Sequence, residues 1–356
     1  MSRDEAATPG LVCAHHHLYS ALARGMPAPP RAPRDFPEIL ELVWWRLDRA
    51  LDLEMVRWSA MLGALEALEA GTTAIVDHHS SPSAVEGSLS VVAEACAEVG
   101  VRAVCCYEVT DRNGAEGAKA GLAENERFLR AGGRGLVGAH ACFTLSAETL
   151  EAVAGLASDL GVGVHVHVAE DRCDAGAGAR LEEVAAPGWL LAHCVHLDRD
   201  LPGTVAHNPR SNLNNGVGYG RPARFSGPVA LGTDGIGGDM LEEMRLAYAC
   251  QRAVDVTATP EQAWAWLTNG CRLVPEAAAD RVRWSYQPMD PWHLAYTPGV
   301  RALDVTMDGE VVLRDGRPTR VDPGEVRAKA AEQARRLWAR LSDGSPGSPG
   351  SFGSPG

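Results

Sequence analysis

Lysine is almost absent from this 356-residue chain: Lys119 and Lys329 are the only two, and the formal charge is -13. No basic face can neutralise phosphates, which argues against nucleic acid as a partner. A Schiff base, or a two-metal site bridged by a carboxylated lysine, needs a lysine at a strand end. Lys119 falls in a helical stretch and Lys329 in the terminal helix, so neither qualifies. No run approaches the ~18 apolar residues of a membrane helix. The first seven residues also lack the apolar core of a signal peptide, so a cytoplasmic protein with no membrane partner is expected. Nine cysteines, with Cys105 and Cys106 adjacent, show neither a C-x-x-C pair nor zinc-finger spacing. A disulfide framework is not expected. G-x-x-x-x-G-K-[ST] and G-x-G-x-x-G phosphate loops are missing too.

What the chain does have is a series of short apolar runs that each stop on a titratable residue. Residues 10–17 close on Ala14-His15-His16-His17, Gly135 to Ala139 on His140, and Val162 to Val166 on His167. Trp189 to Ala192 end at His193, Thr204 to Ala206 at His207, and Pro228 to Thr233 at Asp234. Short apolar runs alternating with helical stretches are the pattern of a parallel sheet with its functional groups at the strands' carboxyl ends. In a closed (β/α)8 barrel those ends converge on one face. Further strands are expected at Thr72 to Asp77 and Val101 to Tyr107, and helices at 40–51, 83–99, 146–160, 241–254 and 260–269. The connection Asp198 to Gly203 is too short for a full crossover helix. Strand-turn-strand character follows over 279–317, then a terminal helix over 325–341 and Ser-Pro-Gly repeats after Asp343 that are expected to be disordered.

Residues two apart on a strand face the same way, so His15 and His17 form a chelating pair and His16 faces the other side. An H-x-H alone is most often a satisfied pair of histidines. With His167 and Asp234 closing later strands, the set becomes three imidazoles and a carboxylate, suited to one Zn2+ or, second, Fe2+, with a position open for water. Glu170, three residues beyond His167, is placed to carry protons between that water and a leaving group. His193, at the end of the next strand, would orient the water or polarise the substrate.

These residues resemble the amidohydrolase superfamily, in the branch of aminohydrolases and chlorohydrolases that includes guanine, adenosine-type and triazine deaminases. Within that branch the likeness is nearest to aminohydrolases of the SsnA type. It runs from Pro9 to Gly316 and is carried by His15-His16-His17-Leu18-Tyr19-Ser20, Trp44-Trp45-Arg46-Leu47-Asp48, Asp77-His78-His79 and Thr110-Asp111-Arg112-Asn113. His165-Val166-His167-Val168-Ala169-Glu170, His207 to Asn215 and Leu231-Gly232-Thr233-Asp234-Gly235 complete it. The resemblance implies that His15, His17, His167 and Asp234 hold the metal, with Glu170 as proton shuttle, His193 beside the water and Asp234 also accepting a proton. It implies that His140 contacts substrate, and it sets Arg112, Arg210 and Asn212 near the pocket, where salt-bridged loop residues are an equal reading. His78 and His79 stay undecided, and Trp44 and Trp45 read as packing.

The implied fold is α/β: a distorted (β/α)8 TIM barrel over 9–275, a truncated carboxyl-terminal β-sandwich remnant over 276–320, a helix over 321–342 and a disordered tail over 343–356. Relatives begin with more strands than the eight residues that precede the first barrel strand here, so the remnant is expected to expose an apolar face and to be covered in a homodimer. The implied reaction is metal-dependent hydrolysis of a carbon-nitrogen bond outside peptides, the deamination of a purine-like heterocycle. A cyclic amidase or formimino deiminase is the rival enzyme, and a catalytically silent barrel the rival of another class.

Overall fold

A computed structural model describes residues 7–235 and 237–342. The tail repeats, and the disorder expected of them, lie outside the described residues. Eight parallel strands carry the site: β1 (Leu11–His16), β2 (Thr72–His79), β3 (Arg102–Tyr107), β4 (Val137–Ala141), β5 (Val164–Val168), β6 (Leu190–His193), β7 (Thr204–His207) and β8 (Val229–Leu231). Apart from the first two residues of β3 every strand residue is buried. Strands covered on both faces read as continuous apolar runs rather than as alternation, as these do.

The strands form a three-stranded sheet in the order β1-β2-β3 and a five-stranded sheet in the order β4-β5-β6-β7-β8. Hydrogen bonds cross between the sheets at both ends. Cys105 N donates to Arg134 O at 3.0 Å and His140 N to Val109 O at 2.9 Å, joining β3 to β4. Thr233 N and Asp234 N donate to His15 O at 3.0 and 3.1 Å, joining the end of β8 to β1. The β3-β4 approach is so close that a Cβ at Gly138 would stand 2.3 Å from Tyr107 O.

Helices Ser88–Val99, Gly114–Arg130 and Ala147–Leu160 follow β2, β3 and β4. The first stops at Gly100, as expected, in the left-handed conformation that glycine tolerates. Among the described residues no helix lies between β6 and β7, as the short connection requires. Helix Leu53–Glu69, most of whose residues are buried, was not among the expected helices.

Past residue 280, strands Arg281–Trp284, Ala302–Met307, Glu310–Arg314 and Arg317–Pro318 form an antiparallel sheet, and Ala7–Thr8 pairs along the edge of the first. The apolar face expected to be open is covered. Val282, Trp284, Val305 and Leu313 are buried, and the sheet packs on helix Leu53–Glu69 instead of on a second sheet. No second copy of the chain is needed to cover it. Helix Pro323–Ser342 packs on the same helix, with Trp338 Nε1 donating to Leu22 O at 2.9 Å. No described helix is long and apolar enough to cross a membrane.

Candidate metal centre and pocket

Strand alternation sends His15 and His17 to one side of β1 and His16 to the other, where its Nδ1 meets Thr233 Oγ1 at 2.6 Å. His167 on β5 and Asp234 just past β8 come to the same point. The ligating atoms of His15, His17, His167 and Asp234 all lie within 4.8 Å of one another. His15 Nε2 is 2.8 Å and His17 Nε2 3.2 Å from Asp234 Oδ1.

The far side of two rings fixes their protons. His17 Nδ1 faces His78 O at 2.6 Å and His167 Nδ1 faces His140 O at 2.8 Å. A carbonyl only accepts, so both imidazoles carry hydrogen on Nδ1, and in the neutral form each has its lone pair on Nε2. Burial opposes a charge on His17, yet Asp234 raises it toward the charged form when no other cation is bound. Those two Nε2 atoms stand 3.2 Å apart. Two lone pairs at that distance repel unless a proton or a metal ion lies between them, and donors ~2.0–2.1 Å from a tetrahedral zinc ion are separated by about 3.3 Å, close to the spacing here. The donor set therefore fits a cation such as zinc.

Burial holds the His15 and His167 imidazoles well below the ordinary histidine range, in the neutral form that ligates. Burial also acts to raise the Asp234 carboxyl, but His193, His15 and His17 outweigh it and keep the group well below the usual range. Burial, opposed by His193, pushes Glu170 up to about 7. At His193 burial opposes the charge, yet the Glu170 and Asp234 carboxylates prevail and push it up to about 9. His193 Nε2 lies 3.5 Å from both Glu170 Oε2 and Asp234 Oδ1. His193 and Asp234 take φ of +69° and +65°. That left-handed backbone costs a side-chain-bearing residue roughly 1–2 kcal/mol, a strain kept at the two strand ends that aim these groups inward.

The cluster opens into a cavity of about 260 Å³. His17, His140, His167, Glu170 and Asp234 line its polar end, and Phe36, Leu40, Trp44, Trp45 and Phe143 its apolar wall. Most of that wall comes from a continuous helix over 36–50 whose middle turn, Leu40–Trp44, is π-helical, a distortion that recurs at functional sites. Trp44 and Trp45, expected to be packing residues, do pack on the cluster of Phe36, Leu40 and Val217, and they line the cavity as well.

Of the four expected substrate contacts, His140 and Arg210 line the cavity. His140 Nδ1 is bound to Thr144 Oγ1 at 2.6 Å, and burial pushes its ring down to about 4. Arg210 lays its guanidinium on buried Glu243. The other two sit elsewhere. Asn212 is fully buried behind His193, its Oδ1 2.7 Å from His193 Nδ1. Arg112 is held under the cavity wall by Asp48, by Glu108 at 3.2 Å, and by the Trp45 ring 5.2 Å away. Both have buried polar partners, and neither lines the cavity. Glu108 itself, a cavity residue, was missed although it directly follows β3 as a titratable strand-end residue. His78 and Glu108 also come within ligating reach of His167, and Glu170 and His193 within reach of Asp234.

The chain is similar to proteins of known name along most of its length. It is 32% identical to the 5-methylthioadenosine/S-adenosylhomocysteine deaminase of Desulforudis audaxviator, over 93% of this chain and 86% of that protein. It is 28% identical to the 5'-deoxyadenosine deaminase of Methanopyrus kandleri, over 95% and 88% respectively. Among solved structures, the zinc-bound adenosine deaminase of Xanthomonas campestris superposes with a TM-score of 0.79 at 23% identity, covering 94% of this chain and 86% of that one. The zinc complex of atrazine chlorohydrolase from Arthrobacter aurescens superposes with a TM-score of 0.74 at 21% identity, covering 92% and 88%. The amidohydrolase family pattern itself matches residues 6–271, and with the identity to the first of these relatives it establishes that the chain belongs to the amidohydrolase family.

Proposed function

We propose that this chain is a hydrolytic deaminase of a purine-like heterocycle, built on a (β/α)8 barrel over 9–275, with one divalent cation, zinc, held by His15, His17, His167 and Asp234. The observation that carries the reading is the convergence of His15, His17, His167 and Asp234 within 4.8 Å of one another, with the Nε2 atoms of His17 and His167 3.2 Å apart. The hydrogen bonds that cross between the two parallel sheets support the closed barrel. The relatives named as deaminases of adenosine-type nucleosides support the substrate class.

A bound cation of this kind supplies Lewis acidity that makes water a nucleophile near neutral pH. The protein does the rest. Glu170, buried at the polar end and titrating near neutrality, is suited to take a proton from water and return it to the departing amine. His193, held from behind by Asn212, offers a positive charge where the oxygen's charge develops. His140 and Arg210 bound the polar end, and Trp44 and Trp45 offer flat apolar surface to a ring. Water adds to the carbon bearing the amino group, the C–N bond breaks, and a carbonyl and ammonia result.

Ammonia release should be measured with 5'-deoxyadenosine, 5-methylthioadenosine and a panel of aminopurines. One member should turn over, with about one zinc per chain, and Glu170→Gln should keep the zinc while losing roughly 10²-fold or more in kcat. Ring opening of a hydantoin with no ammonia from any aminoheterocycle would replace this reading with the cyclic-amidase one.

A further inference from the structure

His15 differs from its two partners in the centre. His17 and His167 rest on carbonyl oxygens, which fix the proton on Nδ1 outright. His15 Nδ1 instead meets another imidazole, His165 Nε2, at 2.8 Å, while its own Nε2 meets Asp234 Oδ1 at 2.8 Å. An imidazole nitrogen either donates or accepts, so this contact alone leaves the tautomer of His15 open.

The next links allow two directions, only one of which leaves His15 able to ligate. Cys106 Sγ lies 3.6 Å from His165 Nδ1 and, as a donor, 3.5 Å from Asp77 O. His15, His165 and Asp77 are fully buried and Cys106 is 1% exposed, so no bulk water competes for these atoms. With the thiol proton on Asp77 O, the sulfur can only accept from His165 Nδ1–H. His165 Nε2 is then an acceptor, His15 Nδ1 must donate to it, and His15 Nε2 is left with a lone pair. In the reverse direction the thiol turns to His165 Nδ1, His165 Nε2–H donates to His15 Nδ1, and the His15 proton moves to Nε2, against Asp234. A proton there blocks cation binding.

We propose that His165 is a positioning residue that makes His15 a cation ligand, through a hydrogen-bond chain that runs, with the cation bound, from His15 to His165 to Cys106 to the carbonyl of Asp77. The inference rests on the assignment of His15 as a ligand. Partners behind a ligating histidine fix its tautomer and orientation, and losing one usually costs 10–100-fold in metal affinity. The sulfur link is the weak one in the chain, so reversing the direction needs two proton shifts and a thiol rotation but no movement of either ring. The centre can therefore exist with its ligands in place and His15 protonated against Asp234, and then accept a cation without rearrangement.

The experiment is zinc affinity, by competition with a chromophoric chelator, in the full chain and in His165→Phe, His165→Gln, Cys106→Ser and Cys106→Val. His165→Phe should weaken zinc about 10–100-fold. His165→Gln, whose amide oxygen can accept from His15 Nδ1–H, and Cys106→Ser, which keeps a donor and acceptor, should recover most of the affinity. Cys106→Val should fall between. Unchanged affinity in His165→Phe overturns the proposal. Should that variant fail to fold, ring-nitrogen spectra of the zinc-loaded parent, labelled on histidine, decide alone: protons on Nδ1 of both His15 and His165 support it, and a proton on His165 Nε2 overturns it. Failure of the parent to bind zinc, or Asp234→Ala binding it equally well, would sink the metal assignment itself.

Discussion

Asn212 Oδ1 accepts the Nδ1 proton of His193 at 2.7 Å, and both residues are buried, so the orientation of His193 is set from behind by a residue that does not line the cavity. Asn212→Leu would leave His193 Nδ1–H without a partner in a dry site. We expect a stability loss of about 1–3 kcal/mol, the penalty for an orphaned buried donor, and a lower kcat with little change in KM. A rise in KM at constant kcat would mean that Asn212 binds substrate directly.

Arg112 is the shared counter-ion of Asp48 and Glu108, and all three side chains are nearly fully buried. Removing it strands Asp48 and leaves Glu108 to His78, 3.6 Å away, so Arg112→Met should destabilise by roughly 3–5 kcal/mol in denaturant unfolding. Adding Asp48→Leu and Glu108→Gln should recover most of that loss, because no uncompensated charge is left. A triple variant no more stable than Arg112→Met would show that the guanidinium matters through its contact with Trp45 instead.

Asp77 is fully buried with Oδ2 unpartnered, and burial raises its carboxyl from 3.8 to about 7, against the hydrogen bond from Leu18 N and the charge of His17. The folded state thus holds this proton more tightly than the unfolded chain does. Stability from this group is complete below pH 3.8, declines as pH rises, and is fully lost above about pH 7. The difference is on the order of 4 kcal/mol, since each pKa unit is worth about 1.4 kcal/mol. In chelator-treated protein, the unfolding free energy of Asp77→Asn relative to the parent should move in the variant's favour by about that amount between pH 4 and pH 8. A difference that stays flat with pH would place an ionised carboxylate in the fold.

The centre was legible because barrel geometry turns a strand's last residue into a site residue, whatever its distance along the chain. His15, His17, His167, His193 and Asp234 all sit at strand ends and converge as that rule requires. The rule would have found Glu108 too, had the strand been read one residue further. Helix Leu53–Glu69 was illegible for another reason. Packed against helix Ser88–Val99, helix Pro323–Ser342 and the segment Leu18–Ala23, it has no wide polar face, so the 3.6-residue period that betrays a surface helix is absent. The packing of Trp44 and Trp45 was legible but their place in the cavity was not, because only the tertiary fold lays helix 36–50 over it. Arg112 and Asn212 lie in motif segments whose spacing says nothing about which neighbour a side chain meets.

Gly232 joins the closing seam of the sheets to the metal centre. A Cβ there would stand 2.4 Å from Asn208 Oδ1 and 2.8 Å from both His15 N and His15 O. Asn208 is fully buried and the His15 atoms are backbone, so nothing nearby can yield cheaply. Gly232→Ala must therefore push the end of β8 away from β1, lengthening the bonds from Thr233 N and Asp234 N to His15 O, now 3.0 and 3.1 Å. The same displacement separates Asp234 from His15, two of the four proposed ligands. Overpacking of a tight site typically costs about 1–3 kcal/mol, and here the strain falls directly on the ligand geometry. Zinc occupancy should drop along with the melting temperature. A variant that melts like the parent and still carries one zinc per chain would show that the seam is looser than these distances require, and that Asp234 is positioned independently of β1.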